Sequence, residues 1–190
     1  MAKVIAIGQP ANESEREAIA YLRDHLPNTF TVIHNFEMKQ GYELYEIDIA
    51  LLCPHCVFVI DVKGTRGLVD VYGSKWYPEG RAPYHSPLAI LRNHAKALKT
   101  LLCDQYPANA TMGGVWVDAA VLMTAPDALV QDPGGQDGPS VAYLKKCTAF
   151  FQDKGRVRSG CSTDIRSQLG QIEKAIVGRA KPKSAPPCYG

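Results

Sequence analysis

The chain contains no run of about 18 apolar residues, the length a helix needs to cross a bilayer, so no segment is expected to span a membrane. Its opening, Met1-Ala2-Lys3-Val4-Ile5-Ala6-Ile7-Gly8, breaks off too soon to read as a signal peptide. Six cysteines without an export signal are therefore expected to be reduced thiols in a cytoplasm. Cys53-Pro54-His55-Cys56 has no second Cys-x-x-Cys and no closely spaced histidine pair to complete a zinc motif. It does not open a helix as redox pairs do, and is expected to hold inert turn thiols. Gly64-Thr65-Arg66-Gly67 lacks the lysine and the spacing of a P-loop, and the chain shows no kinase phosphate loop. No Cys–His hydrolase context is visible, and no internal repeat.

What is present suits one domain of 190 residues, 46% hydrophobic, able to bury a core without disulfides. The net charge of +2 says little, but its distribution is uneven. Residues 61–100 hold seven Lys/Arg against three acids, and residues 141–190 ten against three, while 101–140 hold five acids and no base. Two basic surfaces meeting an anionic partner would give this pattern; so would ordinary solvated charge.

Asn12 or Ser14 can cap a helix running to about Leu26, ended by Pro27-Asn28. Glu15 falls on the same face as Ala18, Ile19, Leu22 and Leu26. A carboxylate there is either a partner of the helix dipole or a functional group. Phe30–Phe36 reads as a strand. Tyr45–Leu52 and Val57–Lys63 read as the arms of a hairpin around Cys53–Cys56, and Leu68–Tyr72 as a fourth strand. A Pro- and Gly-rich loop from Tyr77 to Pro87 precedes a helix from Pro87 to about Leu102, and Val115–Met123 is apolar enough for a strand buried on both faces. Gln131–Ser140 reads as a flexible loop, Val141–Phe151 and Ile165–Val177 as closing helices.

If Leu52 pairs with Val57, the register runs outward until Asp48 opposes Asp61. Directly opposed side chains lie roughly 5 Å apart, where like charges destabilise a sheet. A divalent cation, which prefers carboxylate oxygens, would reverse that penalty. Lys63 shares the face of Asp61 by the period-2 rule. Glu15, Asp48 and Asp61 are thus candidate ligands of Mg²⁺ or Mn²⁺, and Lys63 a candidate stabiliser of phosphoryl charge. A surface ion-pair ladder with Glu46 opposite Lys63 is the plainer reading of the same residues. Lys75, Trp76 and Arg81 could track a phosphate backbone and stack a base, or be a core tryptophan with solvated neighbours. His25, His34, His85 and His94 read as structural or surface residues.

These residues carry a resemblance. Glu46-Ile47-Asp48-Ile49-Ala50-Leu51-Leu52, then Pro54-His55, then Val57-Phe58-Val59-Ile60-Asp61-Val62-Lys63-Gly64-Thr65-Arg66-Gly67 resembles the core of the nuclease-related domain (NERD) family, of the PD-(D/E)XK nuclease superfamily. The resemblance implies an α/β fold, a mixed sheet of about five strands flanked by helices in a restriction-endonuclease-like core. It spans residues from the first helix to about Val121, within a domain expected over residues 1–180. It places the helix glutamate on Glu15, the metal aspartate on Asp48, and the D/E-x-K pair on Asp61 and Lys63. Two positions depart from the family pattern: Ile90 stands where many members carry glutamine, with Asn93 or His94 a turn later as substitutes, and the usual turn glycines appear as Cys53 and Cys56. The Phe150-Phe151-Gln152 region and the tail, residues 181–190, are similar to NERD modules fused in front of bacterial protein kinases, some tied to phage defence. The implied activity is Mg²⁺- or Mn²⁺-dependent hydrolysis of nucleic acid, DNA being the expected substrate. The alternative is a non-catalytic recognition module that targets an attached effector, such as a kinase. The Pro-rich basic tail has the composition of a linker.

Overall fold

The computed structural model describes residues 1–184. Strand β1 (Lys3–Ala6) is too short for its alternation to announce it, and is fixed by parallel pairing with β2 (Thr31–Gln40). Helix α1 (Glu13–His25) lies between them. Asn12 caps it, its side chain accepting from the Glu15 N–H at 3.0 Å. The buried face of α1 is Glu15, Ala18, Ile19 and Leu22. Strand β3 (Glu43–Leu52) runs antiparallel to β2 and turns tightly into β4 (Val57–Lys63). The register is Leu52↔Val57, Leu51↔Phe58, Ala50↔Val59 and Ile49↔Ile60, so the next position outward sets Asp48 against Asp61.

After β5 (Leu68–Tyr72) come two short strands, β6 (Lys75–Pro78), which runs into the loop expected from Tyr77 to Pro87, and β7 (Tyr84–His85), which lies within it. Helix α2 (Pro87–Gln105) follows, capped by Ser86 with proline in its first turn. Then come β8 (Val117–Met123), β9 (Leu129–Gln131) and β10 (Val141–Tyr143). The last of these corrects the helix expected over Val141–Phe151. An apolar run there fits either period, and the free parallel edge of β8 takes its first three residues. Helix α3 is confined to Cys147–Gln152, and α4 occupies Leu169–Arg179. Lys181–Pro182 forms β11, antiparallel to β2. The linker reading therefore does not hold for residues 181–184, which are docked; the remainder of the tail, 185–190, lies outside the described residues.

The fold is α/β, as expected, with more strands than five. A mixed sheet in the order β1-β2-β3-β4-β8-β10, with β11 on β2, carries a second sheet ordered β7-β6-β5-β9. One apolar layer joins Leu22, Ile49, Leu51, Phe58 and Ile60 with α3; the other joins Ala50, Leu52, Val57 and Val59 with Leu91 and Leu98 of α2 and Ile172 of α4. Asp48 and Asp61 share the strand parity of Ala50 and Val59, which puts them on the α2 side at the open end of the hairpin. Among the described residues no helix is long and apolar enough to cross a membrane.

Candidate active site

Asp48, Asp61 and Lys63 come together in a cleft of about 240 Å³, also lined by Glu46, His85 and His94. Asp48 Oδ2 accepts the backbone N–H of Val62 at 2.9 Å, which fixes the carboxylate across the hairpin. Lys63 Nζ sits 3.2 Å from Asp61 Oδ2 and 5.9 Å from the centroid of the Tyr84 ring. The two aspartates face each other across the hairpin closely enough that each shifts the other's ionisation, in opposite directions. Burial first, and then Asp48, push Asp61 up to about 7, against the opposing charge of Lys63. Burial also works to raise Asp48, but it is outweighed by the hydrogen bond from Asp61, the Lys183 ammonium and the Val62 amide, which together hold it below its ordinary value.

Lys183 enters this site although nothing in its sequence context points there. Strand β11 carries the chain along β2, where Ser184 donates from both its N–H (3.1 Å) and its hydroxyl (2.8 Å) to Glu37. Lys183 Nζ then reaches Asp48 Oδ1 at 2.7 Å and also feels the charges of Glu15 and Glu46. An ammonium thus stands where the carboxylates want a cation.

Glu15 is close but differently employed. Its Oε2 accepts the Ala11 N–H at 2.7 Å, tying down the start of α1, and the Asn35 side-chain amide at 2.8 Å. Asn35 holds a left-handed backbone (φ 55°), which asparagine tolerates, at the point where β2 passes from pairing with β1 to pairing with β11. The helix-end role of Glu15 is therefore real, and its charge still reaches the site through Lys183. Among the described residues, the trio of ligand atoms that closes to within 4.8 Å is Cys53, His55 and Cys56; Glu15, Asp48 and Asp61 are spread more widely. Gly64 lets α1 approach, since a Cβ there would run into the Ser14 hydroxyl.

Two further residues are sorted by the structure. Ile90, in the glutamine position, lines the rim of the cleft and is exposed; of the two substitutes, His94 lines the cleft, with Nδ1 buried and unpartnered, while Asn93 is exposed. Burial lowers the pKa of the His94 imidazole. Trp76 corrects the stacking expectation: it is fully buried, and its indole N–H donates to Asp137 at 2.8 Å. Asp137 also accepts the hydroxyl of Ser86, the cap of α2, and Trp76 packs on Tyr84. Trp76 therefore braces the wall behind Lys63, leaving Lys75 and Arg81 as the exposed members of that trio.

The shifted pair gives a measurable pH dependence. An acid whose folded pKa lies above its unfolded value of about 3.9 stabilises the fold while protonated. That contribution is complete below about pH 4 and lost as pH rises to about 7. In chelator, Asp61→Asn, which mimics the protonated acid, should be more stable than wild type above pH 7 by more than about 1 kcal/mol, with the gap closing toward pH 4. Urea midpoints across that range read it, and parallel curves would contradict the raised pKa of Asp61.

The family model of the nuclease-related domain matches residues 10–124, more than half of the chain. It covers α1 through β8, including Glu15, Asp48, Asp61, Lys63 and His94, and ends before Lys183. Neither a curated protein nor a solved structure matches the chain.

Proposed function

From the premise that this chain belongs to the nuclease-related domain family, we propose that it hydrolyses phosphodiester bonds, with DNA as substrate, at the cleft of Asp48, Asp61 and Lys63. The observation that carries the proposal is the convergence of half-buried Asp48 and Asp61 in one cleft, with the Lys183 ammonium 2.7 Å from the first and the Lys63 ammonium 3.2 Å from the second. Two facing carboxylates, one of them already matched by a stand-in ammonium, are a donor set suited to Mg²⁺ or Mn²⁺. Asp48 and Asp61 would hold the ion, with Glu15 completing the set only if it leaves one of its present partners. A divalent cation there would polarise a phosphoryl oxygen and acidify water.

The chain's own groups supply the rest. The Val62 amide keeps Asp48 oriented, so its position does not depend on the ion. Lys63, held between Asp61 and the Tyr84 ring, is placed to offset charge developing on the phosphate. His94 lines the same cleft, with its Nδ1 buried and unpartnered. Incubating the protein with end-labelled duplex and single-stranded DNA tests the proposal: products should form with Mg²⁺ or Mn²⁺ and not with chelator.

A second reading is favoured by Lys183 on Asp48 and by Ile90 in place of glutamine: a recognition module that binds nucleic acid without cutting and directs an attached effector, a kinase among the candidates. Both readings require an electrostatic interface. Neutralising Lys75 and Arg81 should flatten the slope of log affinity against log salt by up to about one unit for each phosphate no longer neutralised. An unchanged slope would move the interface off this edge of the small sheet. Binding with no cleavage under any divalent ion would favour the module.

A further inference from the structure

The closed end of the β3–β4 hairpin, at the far end of these strands from Asp48 and Asp61, gathers a second and chemically different set of donors. The Cys53 N–H donates to the Cys56 carbonyl at 2.9 Å, folding the turn tightly. The Pro54 carbonyl accepts the Ile165 N–H at 2.8 Å, so the turn is packed under the segment leading into α4. Cys53 and Cys56 are fully buried and His55 is 2% exposed. One ligand atom from each of the three, two sulfurs and a ring nitrogen, lie within 4.8 Å of one another.

Buried cysteines alone are ordinary small apolar residues. His55 is not explained that way. Its Nε2 is buried and has no hydrogen-bond partner, a cost of about 1–3 kcal/mol for a polar atom in the core. The Cys53 thiol reaches the Leu51 carbonyl at a long 3.8 Å, and its other polar neighbour is the Cys56 thiol, which lies against His55. An orphaned imidazole facing two sulfurs in a dry turn is what a ligand set looks like without its ion.

We propose that Cys53, His55 and Cys56 bind one thiophilic d¹⁰ cation, Zn²⁺ or Cu⁺. Thiolate and imidazole donors select such ions, whereas Mg²⁺ takes oxygen, so this site and the aspartate cleft sort metals by donor type. Zinc–sulfur bonds of about 2.3 Å put two sulfurs on one tetrahedral ion about 3.8 Å apart, inside the 4.8 Å that bounds the cluster. Three donors complete a trigonal Cu⁺ site, or leave one tetrahedral position on Zn²⁺ for a small added donor. Binding releases the thiol protons and stabilises the folded chain. It clamps the turn whose register sets Asp48 opposite Asp61, and it does not depend on the nuclease reading.

The test uses the full chain, reduced and free of any affinity histidines, stripped with chelator and shown native by circular dichroism. Co²⁺, standing in for Zn²⁺, should give a thiolate-to-cobalt charge-transfer band that saturates at one equivalent per chain and that one equivalent of Zn²⁺ abolishes, any Co²⁺ held by the aspartate cleft giving no such band. Zn²⁺ should raise the Tm by at least about 5 °C. Anaerobic Cu⁺, in competition with a colorimetric chelator, separates the two ions: tighter retention of either one supports the site. Cys53→Ser and Cys56→Ser should each remove the band, while Cys103→Ser and Asp61→Ala keep it. Native, reduced wild type that gives no charge-transfer band and no Tm shift with any of these ions overturns the proposal. So does a band that survives the Cys53→Ser/Cys56→Ser double variant, or a Cys53–Cys56 disulfide that forms in place of metal uptake.

Discussion

Replacing Lys63 with alanine should lower single-turnover cleavage by at least about 100-fold while leaving Mn²⁺ binding and nucleic-acid affinity close to wild type, the scale of losing one electrostatic stabiliser. An ammonium does not ligate a cation. Lys63 lies 3.2 Å from Asp61, so its removal takes a competing positive charge away from the carboxylate and should, if anything, tighten the ion slightly. The loss therefore falls on the reacting phosphate. Mn²⁺ titration by calorimetry beside single-turnover rates separates binding from chemistry. Full-rate cleavage in Lys63→Ala would assign the activity to a different site or to a contaminant.

Lys183→Ala should tighten Mn²⁺ binding by at least about tenfold, a change of about 1.4 kcal/mol. The Lys183 ammonium is 2.7 Å from Asp48 Oδ1, its side chain only 23% exposed, and an ion taking the same oxygen must displace it. The effect should appear as cleavage at lower Mn²⁺ concentration, with the saturated rate little changed. A tail that competes with the ion would also be eased aside by Lys183→Gln, which removes the charge but keeps most of the length. Weaker Mn²⁺ binding in either variant would make Lys183 part of the ion's support instead of its competitor.

The hairpin was legible because β-branched, apolar arms flanked a four-residue turn, and a buried strand admits few registers. One assumed pair, Leu52 with Val57, then positioned Asp48, Asp61 and Lys63 together. Helix α1 was legible from its Asn12 cap and apolar spacing. Short strands were not: β1 and β10 are held by one neighbour each, and three or four residues carry too little pattern to tell strand from helix. Trp76 was ambiguous for another reason. Its neighbours Lys75 and Arg81 are basic, and only the fold reveals that β6 turns the indole inward onto Asp137. Lys183 left no signal, because Lys181-Pro182-Lys183 has linker composition and its docking depends on pairing with the stretch of β2 just past Asn35. The Cys53-Pro54-His55-Cys56 motif was visible, but its missing second half argued against a metal. What the spacing could not convey was that the histidine between the cysteines is buried with them.

Single-turnover cleavage of a labelled DNA duplex, with wild type and Asp61→Ala side by side in Mn²⁺ and in chelator, tests the central claim most directly. Cleavage by wild type that requires Mn²⁺, together with loss of both ion binding and cleavage in Asp61→Ala, is the expected result. Cleavage that persists in chelator, or at the wild-type rate in Asp61→Ala, would contradict an active centre built on the paired aspartates.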